Sequence, residues 1–98
     1  LMDDIKSFQK TIHLIIINES FREYGLKVAD LLRKENINVF FDYKYNLKKS
    51  LSYANQLGAR YAIIIGEEEF QNNLCTLKDL NKNFQEKKTI ENIIKDLS

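Results

Sequence analysis

Asn46-Leu47-Lys48-Lys49-Ser50-Leu51-Ser52-Tyr53-Ala54-Asn55-Gln56-Leu57-Gly58-Ala59-Arg60-Tyr61-Ala62-Ile63-Ile64-Ile65-Gly66 is the stretch that decides the fold. Leu47, Leu51, Ala54 and Leu57 recur at spacings of four and three, so they line one side of a helix, and Lys48, Lys49, Ser52 and Asn55 fall on the other. Gly58 stands where the pattern stops, the position at which a left-handed residue commonly closes a helix. Tyr61-Ala62-Ile63-Ile64-Ile65 then runs apolar without alternation, as a strand covered on both faces does. Helix, glycine and buried strand form half of a β-α-β unit. The earlier parallel strand that completes it is Ile37-Asn38-Val39-Phe40-Phe41.

Outward from this unit, Thr11 to Ile17 reads as an internal strand that Asn18-Glu19 closes. Ser20-Phe21-Arg22-Glu23 has the form of a capping box, so a first helix is expected from there to about Glu35. Phe21, Gly25, Val28 and Leu32, with Tyr24 and Leu31 flanking them, share one face, and Asn36 is its left-handed stop. Gly66 to Asn73 reads as a turn rich in acids, with room for one helical turn inside it. Leu74 to Leu80 and Phe84 to Lys88 are two strands joined by the loop Asn81-Lys82-Asn83, and Thr89 caps a last helix with Ile90, Ile93, Ile94 and Leu97 on one face. The order β-α-β-α-β-β-β-α makes an α/β protein. With the first strand between the second and third, right-handed crossovers put the first two helices on opposite faces of a three-layer sandwich.

Length and composition limit what such a chain does. Ninety-eight residues form one domain at most, and the 44% apolar content, with five Tyr and six Phe, is enough for a core. The formal net charge of +1 sets the chain apart from polybasic nucleic-acid binders. Its distribution is uneven: residues 43 to 60 carry Lys44, Lys48, Lys49 and Arg60 and no acid, and Glu67-Glu68-Glu69 follow. Abundant Lys, Ile and Asn with no Pro or Trp reads as codon bias. A lone Cys75 gives no disulfide framework, and no apolar run reaches membrane-spanning length, so the expectation is a soluble, intracellular, cytoplasmic protein.

The residues offer no catalytic constellation. His13 lies inside a run of isoleucines with no second His or Cys at ligand spacing, and reads as a structural or solvent-edge histidine. Cys75 has no neighbouring cation to lower its pKa and reads as a buried bystander. Glycines at 25, 58 and 66 only fit neither a P-loop nor a dinucleotide fingerprint. Glu67-Glu68-Glu69 suits a solvated turn better than a cation site. The turn Tyr43-Lys44-Tyr45-Asn46 is sharper, because it lies where α/β sheets bind ligands, at the carboxyl ends of their strands. Aromatic rings for unpaired bases, lysines for phosphate and an amide for a base edge suit a single-stranded RNA loop, although spacing alone serves a solvated basic face as well.

Asn46-Leu47-Lys48-Lys49-Ser50-Leu51, Ala54 to Glu67 with its Leu-Gly-Ala-Arg-Tyr block, and Thr76-Leu77-Lys78-Asp79-Leu80 together resemble the C-terminal anticodon-binding domain of histidyl-tRNA synthetase, over residues 11 to 98. That resemblance implies a five-stranded mixed sheet in the order 2-1-3-4-5 with strand four antiparallel. It implies that residues 1 to 10 are a connector from a catalytic domain, and that the parent is a histidine–tRNA ligase, a class II enzyme. ATP and magnesium would serve that catalytic domain, and this segment would carry neither cofactor nor metal nor catalytic residue. The implied partners are the anticodon loop of tRNA(His) and the parent's own catalytic domain, with no membrane or DNA, a homodimeric parent and a monomeric isolated segment. Matched by position, the RNA-facing residues are Tyr43, Lys44, Tyr45, Asn46, Lys48 and Lys49, with Glu69 and Lys78 beyond them. The chain departs from the family pattern at Asn72-Asn73, where Asn-Gly is usual, and after Lys-Asp-Leu, where Asn81-Lys82-Asn83-Phe84 lacks the usual basic or glycine residue. The same fold in glycyl-, threonyl- or prolyl-tRNA synthetases, or in a non-enzymatic synthetase-like accessory module, is the alternative.

Overall fold

The computed structural model describes residues 11–97, so the expected connector at residues 1 to 10 lies outside the described residues. In chain order the elements are β1 (Ile12–Ile16), a 3-10 turn (Glu19–Phe21), α1 (Arg22–Lys34), β2 (Val39–Asp42), α2 (Leu47–Gln56), β3 (Tyr61–Ile65), α3 (Glu67–Asn72), β4 (Cys75–Asp79), β5 (Phe84–Lys88) and α4 (Ile90–Leu97). They form one five-stranded sheet ordered β2-β1-β3-β4-β5. The first three strands are parallel, with Leu14 opposite both Phe41 and Ile63, and β4 runs antiparallel to β3 and β5. This is the mixed sheet the sequence led to.

Alternation along the strands divides the interior in two. Ile12, Leu14 and Ile16 of β1, Ile63 and Ile65 of β3, and Cys75 and Leu77 of β4 pack with Val28, Ala29 and Leu32 of α1 and Ile90 and Ile93 of α4. On the opposite face Ile15, Ala62 and Ile64 pack with Leu51 of α2 and with Leu80. β5 is the outer strand, exposed along most of its length. There Lys87 pairs with Glu68 at 2.7 Å, and Lys88 with Glu86 at 2.5 Å and with Asp96. Among the described residues no helix is long and apolar enough to cross a membrane.

Four local expectations change. The first helix is entered not through Ser20 but through Asn18, whose side-chain oxygen accepts from the Ser20 amide at 2.9 Å and the Ser20 hydroxyl at 2.7 Å, turning the chain into the 3-10 turn that precedes α1. Asn wins because it sits one residue beyond the last strand-like position, where the free amides first need an acceptor. In α2 the fully buried positions are Ser50 and Ala54, one turn apart, while Leu47 and Leu57 stand 36% and 51% exposed. Small side chains let the helix lie close on the sheet, and its terminal leucines overhang. The acidic turn after β3 folds into the short α3, which Asn73 ends in the left-handed conformation at φ 59°. Strand bounds shift by a residue or two, and β2 runs on to include Asp42. As expected, Asn36 and Gly58 adopt positive φ, 62° and 77°, at their helix ends.

Gly25 marks the closest approach of α1 to the sheet. A Cβ there would lie 2.8 Å from Ile16 Cγ2 and 3.1 Å from the Phe41 ring. Gly25→Val should therefore lower stability by about 2–3 kcal/mol through overpacking, read from urea denaturation. An unchanged midpoint would show that α1 has room to withdraw.

Candidate nucleic-acid interface

All three parallel strands end on one rim, where β1 gives way to Ile17-Asn18, β2 to Tyr43-Lys44-Tyr45-Asn46 and β3 to Gly66-Glu67. The turn after β2 is anchored by Asp42, whose side chain is fully buried. Its Oδ1 accepts the Lys44 amide at 2.8 Å, its Oδ2 accepts from His13 Nε2 at 2.7 Å, and the Lys44 ammonium stands 3.6 Å from Oδ2. Burial pushes the carboxyl's pKa up, but the His13 hydrogen bond, the Lys44 amide and the Lys44 charge outweigh it and hold the group below its ordinary value.

From that anchor the turn residues diverge. Tyr43 is 51% exposed, its ring 4.7 Å from that of Phe41 and under the Arg22 guanidinium at 5.6 Å. It offers a supported aromatic face at the rim. Lys44 is exposed, with its ammonium drawn back to 3.8 Å over the Tyr53 ring of α2. Tyr45 takes a left-handed conformation at φ 53° and packs, half-buried, against the larger core. Its ring therefore helps hold the turn to the fold and offers less open face than that of Tyr43. The Asn46 side-chain oxygen accepts the Lys49 amide at 3.0 Å and caps α2, on a residue that is itself exposed. Lys48 and Lys49, on the first turn of α2, are exposed.

Two expected contacts are placed otherwise. Glu69 is only 8% exposed, its Oε1 accepting the Gly66 amide and its Oε2 the Thr76 hydroxyl, both at 2.8 Å, with Lys87 at 3.7 Å. Burial opposes its ionisation, yet the Thr76 and Gly66 hydrogen bonds and the Lys87 charge keep its pKa below the ordinary value. It braces α3 against β4 instead of facing the rim. Lys78 lies opposite Ala62, near the beginning of β3. Ala62 is three steps along β3 from Ile65, which puts Lys78 about 10 Å below the rim, and the strand order sets it two strands beyond β1 and three from β2. The structure thus brings Tyr43, Lys44, Asn46, Lys48 and Lys49 together and leaves Lys78 apart.

Sequence reasoning missed Arg22, which joins the rim only because α1 starts beside Tyr43. It also missed the His13–Asp42 pair, 29 residues apart in sequence. The signal was available once β1 and β2 were paired: His13 lies opposite Phe40, and Asp42 is two residues on, facing the same side. A third omission is an aromatic cluster in which Phe70, 47% exposed, has its ring 5.2 Å from Phe21 and 5.8 Å from Tyr24. Cys75 is buried, and burial pushes its thiol up to about 12, which leaves it no thiolate for chemistry.

Residues 11–98 match the family described as the anticodon binding domain. Among individual relatives, the histidine–tRNA ligase of Aquifex aeolicus (strain VF5) is 42% identical over 73 residues, covering 74% of this chain and 18% of that protein. The histidine–tRNA ligase of Pelagibacter ubique (strain HTCC1062) is 38% identical over 74 residues, covering 74% of this chain and 16% of that protein. The chain thus spans less than a fifth of either relative's length. Among solved structures, the RNA binding domain of threonyl-tRNA synthetase from Cryptosporidium parvum Iowa II superposes with a TM-score of 0.85 at 24% identity, over 91% of this chain and 23% of that one. Histidyl-tRNA synthetase from Nostoc sp. PCC 7120 superposes with a TM-score of 0.82 at 24% identity, over 92% of this chain and 22% of that one.

The two depressed carboxylates set the acid behaviour. Each binds a proton more weakly in the folded than in the unfolded chain, so the stability it contributes is complete above its unfolded value, 3.8 for Asp42 and 4.5 for Glu69, and is lost as pH falls through the lower folded value. The urea midpoint should hold down to about pH 5 and fall below it. Asp42→Asn should be less stable at neutral pH and lose less on acidification, whereas a parallel loss in both proteins would clear Asp42 of the effect.

Proposed function

Because this chain belongs to the anticodon-binding domain family of aminoacyl-tRNA synthetases, we propose that it grips the anticodon loop of tRNA(His) at the rim after β2. In this reading it works within a histidine–tRNA ligase of the cytoplasm, a homodimer whose catalytic domain attaches histidine to its tRNA with ATP and magnesium. The relatives at 42% and 38% identity support the choice of amino acid.

One observation carries the site: an exposed aromatic face, Tyr43 backed by Phe41 and Arg22, stands beside two exposed lysines on the capped first turn of α2. An unpaired base stacks on such a ring whatever its identity, at about 1–3 kcal/mol per base. Lys48 and Lys49 would take phosphates and set the register, whereas the side-chain amide nitrogen of Asn46 has donors for a base edge. Arg22, whose charge faces the same ring, would add a phosphate or base contact. Binding follows from a local concentration of charge, not from the net charge of +1.

The test is a binding titration of the chain with tRNA(His) and with anticodon variants over a range of salt. Lys48→Ala with Lys49→Ala should weaken binding alike for all anticodons and reduce the salt slope by about one to two phosphate contacts, at unchanged thermal stability. Tyr43→Ala should cost about tenfold or more in affinity, with Tyr43→Phe near wild type. Full binding by the lysine double variant would move the interface elsewhere.

A further inference from the structure

Resting on the anticodon reading above, we infer that His13 is the positioning residue of the base-reading turn, acting through its buried hydrogen bond to Asp42. The bond joins the middle of β1 to the last residue of β2, and Asp42 is also the first residue of the turn that carries Tyr43, Lys44 and Asn46.

Four side chains close a circuit around that turn. His13 Nε2 meets Asp42 Oδ2 at 2.7 Å, Asp42 holds Lys44 through its amide at 2.8 Å, and the Lys44 ammonium lies 3.8 Å over the Tyr53 ring. The edge of Tyr53 in turn meets the His13 ring with centroids 5.9 Å apart. Phe40 closes the imidazole from another side, stacked at 4.8 Å and 12°. The turn is thereby tied to the sheet through Asp42 and to α2 through Tyr53. With both of its neighbours fixed, Tyr43 has its ring left against Phe41, below Arg22.

The proton inventory agrees with a positioning role. An ionised carboxylate only accepts, so Nε2 is the ring nitrogen that bears the hydrogen shared with Asp42. Nδ1 is the buried ring atom without a hydrogen-bond partner among the described residues, as suits a bare lone pair. The imidazole therefore makes one directed bond, and that bond ends on the turn's anchor. Removing it leaves a buried carboxylate short of a donor, a condition that costs enough to make the turn seek another arrangement.

The experiment compares the 98-residue chain with His13→Leu and His13→Gln, the latter keeping a side-chain N–H at nearly the reach of Nε2. Two quantities are measured: amide hydrogen exchange at residues 43–46 against that of β4 and β5, and affinity for tRNA(His) against anticodon variants. In His13→Leu the Lys44 amide should exchange about tenfold faster while β4 and β5 keep their protection, and anticodon preference should fall about tenfold, with salt-dependent binding to any tRNA retained. His13→Gln should recover both. If His13→Leu does not fold, His13→Phe, which keeps a ring against Phe40 and Tyr53 and removes the donor to Asp42, must show the same selective loosening. A folded His13→Leu with an unchanged Lys44 amide overturns the inference whether or not tRNA binds. A wild-type chain without anticodon preference counts against the proposed function instead, and the exchange rates still decide the role of His13.

Discussion

Every residue of β1 is withdrawn from water, and the rest of the molecule answers to that constraint. Its backbone groups are satisfied by β2 on one side and β3 on the other. Its side chains need a roof above and below, so α1 and α4 cover the face of Leu14 and α2 covers the face of Ile15. Helices on both faces require crossover connections, and these carry each parallel strand out through the same edge. The rim is thus a by-product of burying β1: three loops converge there because the sheet cannot close any other way.

Polar groups within this interior have a common task. Asp42 is the last residue of β2 and Glu69 lies in the first turn of α3 after β3, each with one carboxylate oxygen on a backbone amide and the other on a side chain of a nearby strand. They act as local acceptors where strand pairing has run out and helix bonding has not begun, the zone in which free amides accumulate. Asp42 therefore shapes the lysine-bearing side of the rim and Glu69 the acidic side. Both carboxylates are buried, and each fixes the backbone of the loop beside it.

Much of the fold was legible because periodicity reports burial. The unbroken apolar run Tyr61 to Ile65 could only be a covered strand, and Gly58 and Asn36 announced helix ends through the backbone conformation they tolerate. The inner face of α2 was legible in Leu51 and Ala54, but hydrophobicity alone passed over Ser50, which is buried for being small, and included Leu57, which is exposed for lying past the last turn. At the rim after β2 the charges were easier to place than the rings. Tyr43 and Tyr45 look alike in sequence, and only the left-handed backbone at Tyr45 turns one of them inward. Glu69 and Lys78 were chosen by position, which says nothing of whether a carboxylate is already engaged or how far down a strand a lysine lies. Arg22 and His13 were overlooked because their partners are long-range and single-residue, leaving no local pattern.

Among the described residues β5 is the outer strand of the sheet, with no further strand paired to its far edge. An open ladder of that sort is a template on which neighbouring copies polymerise through main-chain bonding. Here the sequence along it is Gln85-Glu86-Lys87-Lys88, and its charges are held near the strand by Glu68 and Asp96. A second copy would have to strip those ions of water and bring like charges face to face before gaining a single bond. The same residues that make β5 a poor contributor to the core thus act as a guard against fibrillar growth, which lets a sheet this small keep a bare margin at the concentrations where proteins are made.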